Sequence, residues 1–331
     1  MNGPLGAPAP LAALATLGGI ANPAAGAAGA PSAPGALLAP SLATLGGLLG
    51  AALAALCVVE RRHLRELRHR VLFRRWFTWL VIAPLYALAV LGGEVTALAL
   101  VSAIVFQGLR EYAQLVGLPP LYTAVLLAMG LVSVPVALWS REAFLALPPL
   151  LLLLGTLLPL LTQDVRAGTR HLAFAALGFG YLPLLLGHLL LLYRFVPGGP
   201  GLLLALGLGV ALSDVGAFVA GRRFGWRRLA PALSPNKTLA GVAGNVVGAY
   251  AGVALMHLAL PAEHRVLLLA TLPLVVAAGA VWGDLLESLI KREFGAKDAG
   301  AWLPGMGGLL DRIDSLILVV PLAYYYLRLV G

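Results

Sequence analysis

Apolar runs separated by short polar interruptions dominate the pattern of this chain. Ten can be drawn, at about 41–59, 76–92, 95–109, 120–139, 144–162, 171–193, 201–221, 241–260, 265–288 and 314–330. An α-helix needs roughly 20 consecutive apolar residues to cross the hydrocarbon core of a bilayer. Most of the runs come near that length, with 76–92 and 95–109 the shortest. The pattern predicts an all-α, polytopic integral membrane protein with about ten transmembrane helices. Residues 1–40 are different: Ala, Gly and Pro with hardly any polar character, too rich in helix breakers for a stable helix. They read as a low-complexity segment. No signal peptide is expected there, because no basic residue precedes the apolar part. The chain accordingly divides into that segment (1–40), N-terminal transmembrane helices (41–200) and a C-terminal transmembrane catalytic region (201–331).

Composition sharpens the picture. At 60% hydrophobic residues and a mean hydropathy of +0.92, a soluble domain is excluded. A net charge of +9 would suit nucleic acid, but the basic residues sit in short loops between apolar runs. They therefore belong to topology and to anionic lipid or nucleotide, and no nucleic-acid partner is expected. With the loop Glu60–Arg75 in the cytoplasm and every run crossing, 19 of the 23 Lys and Arg share that side. Only Arg141, Arg194, Arg265 and Arg328 fall outside, as the positive-inside rule predicts. The reading is a multi-pass protein of the inner (plasma) membrane with an external N-terminus. Cys57, the one cysteine, rules out an intrachain disulfide. His63 and His69 belong to the basic loop. His188 and His257 stand singly in apolar runs, where a hydrogen bond to a neighbouring helix is expected, and His171 lies at a helix end. No zinc spacing and no GxxxxGK[ST] loop occurs.

One stretch breaks the apolar pattern: Gly283–Ser315, GDLLESLIKREFGAKDAGAWLPGMGGLLDRIDS. It holds ten charged residues in a chain only 11% charged, and charge at a membrane boundary marks a site. Asp284, Glu287, Ser288 and Lys291 fall at i, i+3, i+4 and i+7, one helical face. Asp311 and Asp314 are also three apart. Between Lys291 and Asp311, residues Pro304, Gly305, Gly307 and Gly308 break any helix and give a turn whose N–H groups can face an anion. Carboxylates for a hard cation, Lys and Arg for phosphate oxygens and bare backbone make a metal–polyphosphate site. A second polar segment, Ser213–Gly241, places Asp214 inside an apolar run. It then offers Ser234, Lys237 and Thr238 as hydroxyl and ammonium donors for phosphate. Arg110–Leu115 (REYAQL) and Gln107 read as interfacial, with Glu111 a supporting residue for the site.

The run S-x-x-K-R-x-x-x-x-K-D-x-G-x-x-x-P-G-x-G-G-x-x-D-R-x-D resembles the motif of the phosphatidate cytidylyltransferase (CDP-diacylglycerol synthase) family. Ser288, Lys291, Arg292, Lys297, Asp298, Gly300, Pro304, Gly305, Gly307, Gly308, Asp311, Arg312 and Asp314 match. Met306 stands where the family usually has His. Asp214 to Thr238 is similar to a second family region, with Phe218 at its aromatic position and Ala240 where Glu is common. Together the two regions cover roughly the last 120 residues.

The resemblance implies transfer of the cytidylyl group of CTP to phosphatidic acid, with magnesium and a second cation, divalent or K+. Asp284 and Asp311 are the first choices as metal ligands, with Asp314, Asp298 and Asp214 after them. Lys237, Lys291, Arg292, Lys297 and Arg312 would grip phosphates, and Ser234, Thr238, Ser288, Gly307 and Gly308 would line the substrate. Asp284, Asp311, Lys237 and Arg312 carry the catalytic assignment. The expected architecture is a polar active-site cleft facing the cytoplasm, with CTP, the lipid phosphate and membrane lipids as partners and a homodimer compatible with it. Alternatives left open are transfer to another lipid phosphate (polyprenyl or ether lipid) and an inactive lipid-binding relative. A transporter is disfavoured, because the polar groups cluster at one face.

Overall fold

The computed structural model describes residues 34–59, 71–300, 302 and 307–330, and apart from one short hairpin its regular elements are helical. Residues 1–33 of the low-complexity segment, most of the basic loop (60–70, with His63 and His69) and Pro304, Gly305 and Met306 lie outside the described residues, whereas residues 34–40, where the composition argued against a stable helix, form the first turns of one with Pro40 inside it. The helices are α1 (Pro34–Val59), α2 (Val71–Leu91), α3 (Glu94–Leu115), α4 (Pro120–Trp139), α5 (Arg141–Gly155) and α6 (Leu157–Leu161). They continue with α7 (Gly168–Phe179), α8 (Leu185–Phe195), α9 (Gly199–Phe224), α10 (Leu239–Leu255), α11 (Arg265–Glu293) and α12 (Leu310–Val330). Among the described residues, eight helical stretches are long and apolar enough to cross a membrane. Two more, Trp76–Leu91 and Leu239–Leu255, are apolar but shorter. The polytopic all-α architecture is therefore the one the apolar runs predicted.

Two crossings are composite. α5 and α6 share one, interrupted at Thr156, and α7 and α8 share another through a π-turn at Gly180–Leu184. Several helices outrun their apolar stretch. α3 continues past Arg110 and Glu111 to Leu115, and α11 continues to Glu293, because polar residues on those extensions find partners. α10 stops early, and His257 starts a separate 3-10 turn.

Glycine decides how closely the helices approach. A Cβ on Gly216 would lie 2.1 Å from the Gly244 carbonyl oxygen, and one on Gly248 would lie 2.1 Å from that of Leu212. The short α10 is thus clamped on α9 by backbone-to-backbone contact, the small-residue packing expected where lipid removes the hydrophobic drive between helices. α8, the first half of α9, and α12 form the core, with Leu189–Leu192 and Leu202–Leu206 almost fully buried. His188 sits there among Phe144, Tyr324 and Tyr325, its Nε2 3.2 Å from the Tyr325 hydroxyl on α12. At one end of the bundle Arg194 of α8 pairs with Glu94 of α3. The opposite end gathers the C-termini of α3, α9 and α11 and the N-termini of α10 and α12, where the charged residues concentrate.

Candidate active site

The polar face predicted on α11 exists, and it meets the first turns of α12. Gly283 allows the approach, since a Cβ there would lie 2.3 Å from the Asp314 carbonyl oxygen. Carboxylate oxygens of Asp284, Glu287 and Asp314 come within 4.8 Å of one another. Glu287 is 1% exposed, and neither of its carboxylate oxygens has a hydrogen-bond partner among the described residues. Its Oε2 lies 2.5 Å from Lys291 Nζ, one turn further along α11, and the same ammonium donates to Asp311 Oδ1 at 2.7 Å. Lys291 therefore pins the end of α11 to the start of α12.

Asp311 organises the loop between them. Its Oδ2 accepts from the backbone N–H of Ala299 (2.9 Å) and of Gly308 (2.8 Å). Gly307 holds φ +84°, in the left-handed region that glycine enters freely. The next two N–H groups, of Leu309 and Leu310, donate to Glu111 Oε1 (3.0 Å) and Oε2 (2.8 Å). Gln107 adds a 2.9 Å hydrogen bond to Oε1. A buried carboxylate on α3 thus satisfies the open N-terminus of α12, where negative charge is favoured. The glycine turn was expected to turn its N–H groups toward an anionic ligand. Those of Gly308, Leu309 and Leu310 are instead spent on Asp311 and Glu111.

The second polar segment folds as an antiparallel hairpin, β1 (Arg228–Ala230) with β2 (Ser234–Thr238), pairing Arg228 with Thr238 and Ala230 with Ser234. β2 delivers Lys237 to the cluster, its Nζ 2.7 Å from Asp284 Oδ2 in an ion pair without hydrogen-bond angles. Thr238 caps α10, accepting from the Gly241 N–H at 3.0 Å, and Ala240 is the second residue of that helix. Arg292 holds the hairpin from α11 through the Leu233 carbonyl (3.4 Å) and closes its own turn on that of Ala296 (2.9 Å). Asp214, on α9, lies in electrostatic range of Asp284, Arg312 and Lys237. Ser288 is buried on the α11 face and Ser234 half-buried in the hairpin, while Lys297 and Asp298 are exposed on the loop.

The cluster is deeper than a helix-end site. Asp284 lies nine residues before the end of α11, about 14 Å at 1.5 Å per residue, and Asp214 ten before the end of α9. Charge at such depth needs partners or water. Lys237 is the partner of Asp284, whose side chain is 43% exposed. Asp214, Asp284, Glu287, Asp311 and Asp314 face Lys237, Lys291 and Arg312, two more carboxylates than cations. With all ionised, that leaves two negative charges in excess. The oxygen-only trio and the orphaned Glu287 Oε1 suit a hard divalent cation. The trio differs from the first-choice pair of the motif reading: Asp284 is in it, Asp311 is committed to Lys291 and the loop, and Glu287 takes part.

Comparison with known proteins gives a family. A family model described as "Cytidylyltransferase family" matches residues 73–330. A phosphatidate cytidylyltransferase of Pseudomonas aeruginosa is 36% identical over 260 residues, 76% of this chain and 95% of the relative. One from Staphylococcus epidermidis is 30% identical over 230 residues, 70% of this chain and 76% of the relative. One from Bacillus subtilis is 44% identical over 119 residues, 35% of this chain and 44% of that protein.

Proposed function

The chain belongs to the cytidylyltransferase family, and on that premise we propose that it transfers the cytidylyl group of CTP to phosphatidic acid, giving CDP-diacylglycerol and pyrophosphate. The observation that carries this reading is the carboxylate trio Asp284, Glu287 and Asp314, set beside Lys237, Lys291 and Arg312. An oxygen of the lipid's phosphate monoester forms the new bond to the α-phosphorus of CTP. The bond from that phosphorus to the oxygen bridging the α- and β-phosphates breaks, and pyrophosphate leaves. The attacking oxygen is already anionic at neutral pH, so no strong general base is required. The obstacle is repulsion between two polyanions.

Magnesium held by Asp284, Glu287 and Asp314 would offset phosphate charge as pyrophosphate departs. Lys237 reaches the cluster on a hairpin and is ion-paired with Asp284 through one of its three donors, which leaves the others for phosphate oxygens. Arg312 is exposed at the start of α12 and supplies a fork of donors for the same purpose. Lys291 is ion-paired with both Glu287 and Asp311, so it holds the two helices in register. The basic loops favour a cytoplasmic position for this end of the bundle in an inner-membrane protein. CTP then arrives from water, and the lipid from the inner leaflet.

The test is formation of CDP-lipid from labelled CTP, magnesium and phosphatidic acid by the purified protein. Asp284→Asn and Asp314→Asn are each expected to lower the rate on the order of 100-fold or more, as loss of a charge-stabilising group does. A wild-type protein that forms no CDP-lipid from phosphatidic acids of several chain lengths would refute the reading.

A further inference from the structure

The crossing that contains α7 and α8 is not one continuous α-helix: Gly180–Leu184 form a π-turn with Pro183 inside it. A proline within a helix removes one N–H and crowds the carbonyl four residues back, and a locally wider turn relieves the conflict. Gly180 borders an apolar cavity between α4, α5 and α7. The next residue, Tyr181, is 3% exposed, and its hydroxyl has no hydrogen-bond partner among the described residues. It nevertheless lies in electrostatic range of Asp314, Glu287 and Asp284. A buried hydroxyl without a partner is uncommon in a native protein and asks for a cause. Three carboxylates lie within that electrostatic range, and the hydroxyl bonds none of them. π-turns recur at functional sites. An irregular turn and an orphaned donor therefore coincide at a residue beside the acidic trio.

We infer that Tyr181 contacts substrate: its hydroxyl donates a hydrogen bond to a phosphate oxygen held beside Asp284, Glu287 and Asp314. The inference rests on the cytidylyl-transfer reading above. A neutral donor suits the position, because a further Lys or Arg there would pair with the trio. A phenol offers its proton without competing for the carboxylates. The phosphate oxygen belongs either to the lipid or to CTP.

Tyr181→Phe in the full chain tests this, with Asp314→Asn beside it. Loss of a hydrogen bond to a charged oxygen is expected to lower kcat/KM ~10–100-fold. The ligand-free thermal midpoint stays level or rises, since an unpartnered hydroxyl has been removed. The substrate whose KM rises more, phosphatidic acid or CTP, identifies the phosphate. The rise in thermal midpoint given by magnesium with CTP, or by vesicles containing phosphatidic acid, shrinks in the same variant. Wild-type turnover with undiminished thermal shifts overturns the inference. A raised magnesium requirement with both KM values unchanged also does, since the hydroxyl then serves the ion's hydration. A fall in the ligand-free midpoint that accounts for the lost activity makes the hydroxyl structural and overturns it too. If the wild type makes no CDP-lipid while the ligand shifts persist, the assigned reaction fails, and the shifts alone decide for or against Tyr181.

Discussion

Glu111 is the most economical place to perturb the site without touching it. Its carboxylate accepts from Leu309 and Leu310 on α12 and from Gln107 on its own helix, and it is 3% exposed. Glu111→Gln keeps the shape and one acceptor oxygen but turns an NH2 toward one of the two backbone N–H groups. One charge-assisted hydrogen bond, worth about 1.5–3 kcal/mol, is lost. A buried N–H is left facing a donor, costing about 1–3 kcal/mol, and the favourable charge at the start of α12 goes, for about 0.3–1 kcal/mol. The local penalty is therefore about 3–7 kcal/mol on the last residues of the loop and the first turn of α12. Glu111→Ala removes all three bonds and opens a void, so it should be worse. Asp311 and Asp314 lie one to five residues beyond the anchored N–H groups, so loosening that turn displaces both carboxylates. Glu111→Gln is expected to lower kcat/KM ~10–100-fold, since a 1.4 kcal/mol shift in the closed population is already tenfold. Hydrogen exchange at Leu309 and Leu310 should accelerate in parallel. Wild-type turnover by Glu111→Gln with unchanged exchange there would sink the argument, because the carboxylate would then be a bystander.

Two further outcomes follow from the same packing. Lys291→Met keeps the stem but leaves Glu287 and Asp311 facing one another without their shared cation, and removing one partner of a buried pair costs about 3–5 kcal/mol. The thermal midpoint should fall sharply, and Lys291→Met with Glu287→Gln should recover part of it without recovering activity; a midpoint unchanged in Lys291→Met would be the contrary result. Gly244→Ala would put a methyl 2.2 Å from the Gly216 carbonyl oxygen and force α9 and α10 apart, costing about 1–3 kcal/mol or more. Gly50→Ala on α1 meets open space and should melt as the wild type does, so equal midpoints for the two variants would refute the close-packing account.

The sequence exposed what depends on local order and hid what depends on which helix faces which. Apolar run length sufficed for the helices, because lipid demands it residue by residue. The i, i+3, i+4 spacing placed Asp284, Glu287, Ser288 and Lys291 on one face, and that face does point into the cluster. It could not say which acids stay free once α12 arrives. Asp311 looked like a ligand because it closes the polar stretch. In the fold, three donors from Lys291, Ala299 and Gly308 occupy it, and the unsatisfied oxygen belongs to Glu287. The hairpin that carries Lys237 leaves no mark in the pattern, since SPNKT has neither the length nor the alternation of a recognisable strand.

Glu111 shows the same limit from the other side. Its partners on α12 are 198 and 199 residues away, and the chain around it marks it only as part of a polar, interfacial end of an apolar helix. That mark is still physical information. A carboxylate so close to the hydrocarbon is costly alone, so its presence on α3 implied a donor on some other helix. The glycine turn in turn carried N–H groups that had to be spent somewhere. Matching buried acceptors without local donors to helix starts without local caps would have paired Glu111 with α12. It would not have reached Tyr181, whose direction is set by a π-turn and whose orphaned hydroxyl exists only once the helices around it are packed.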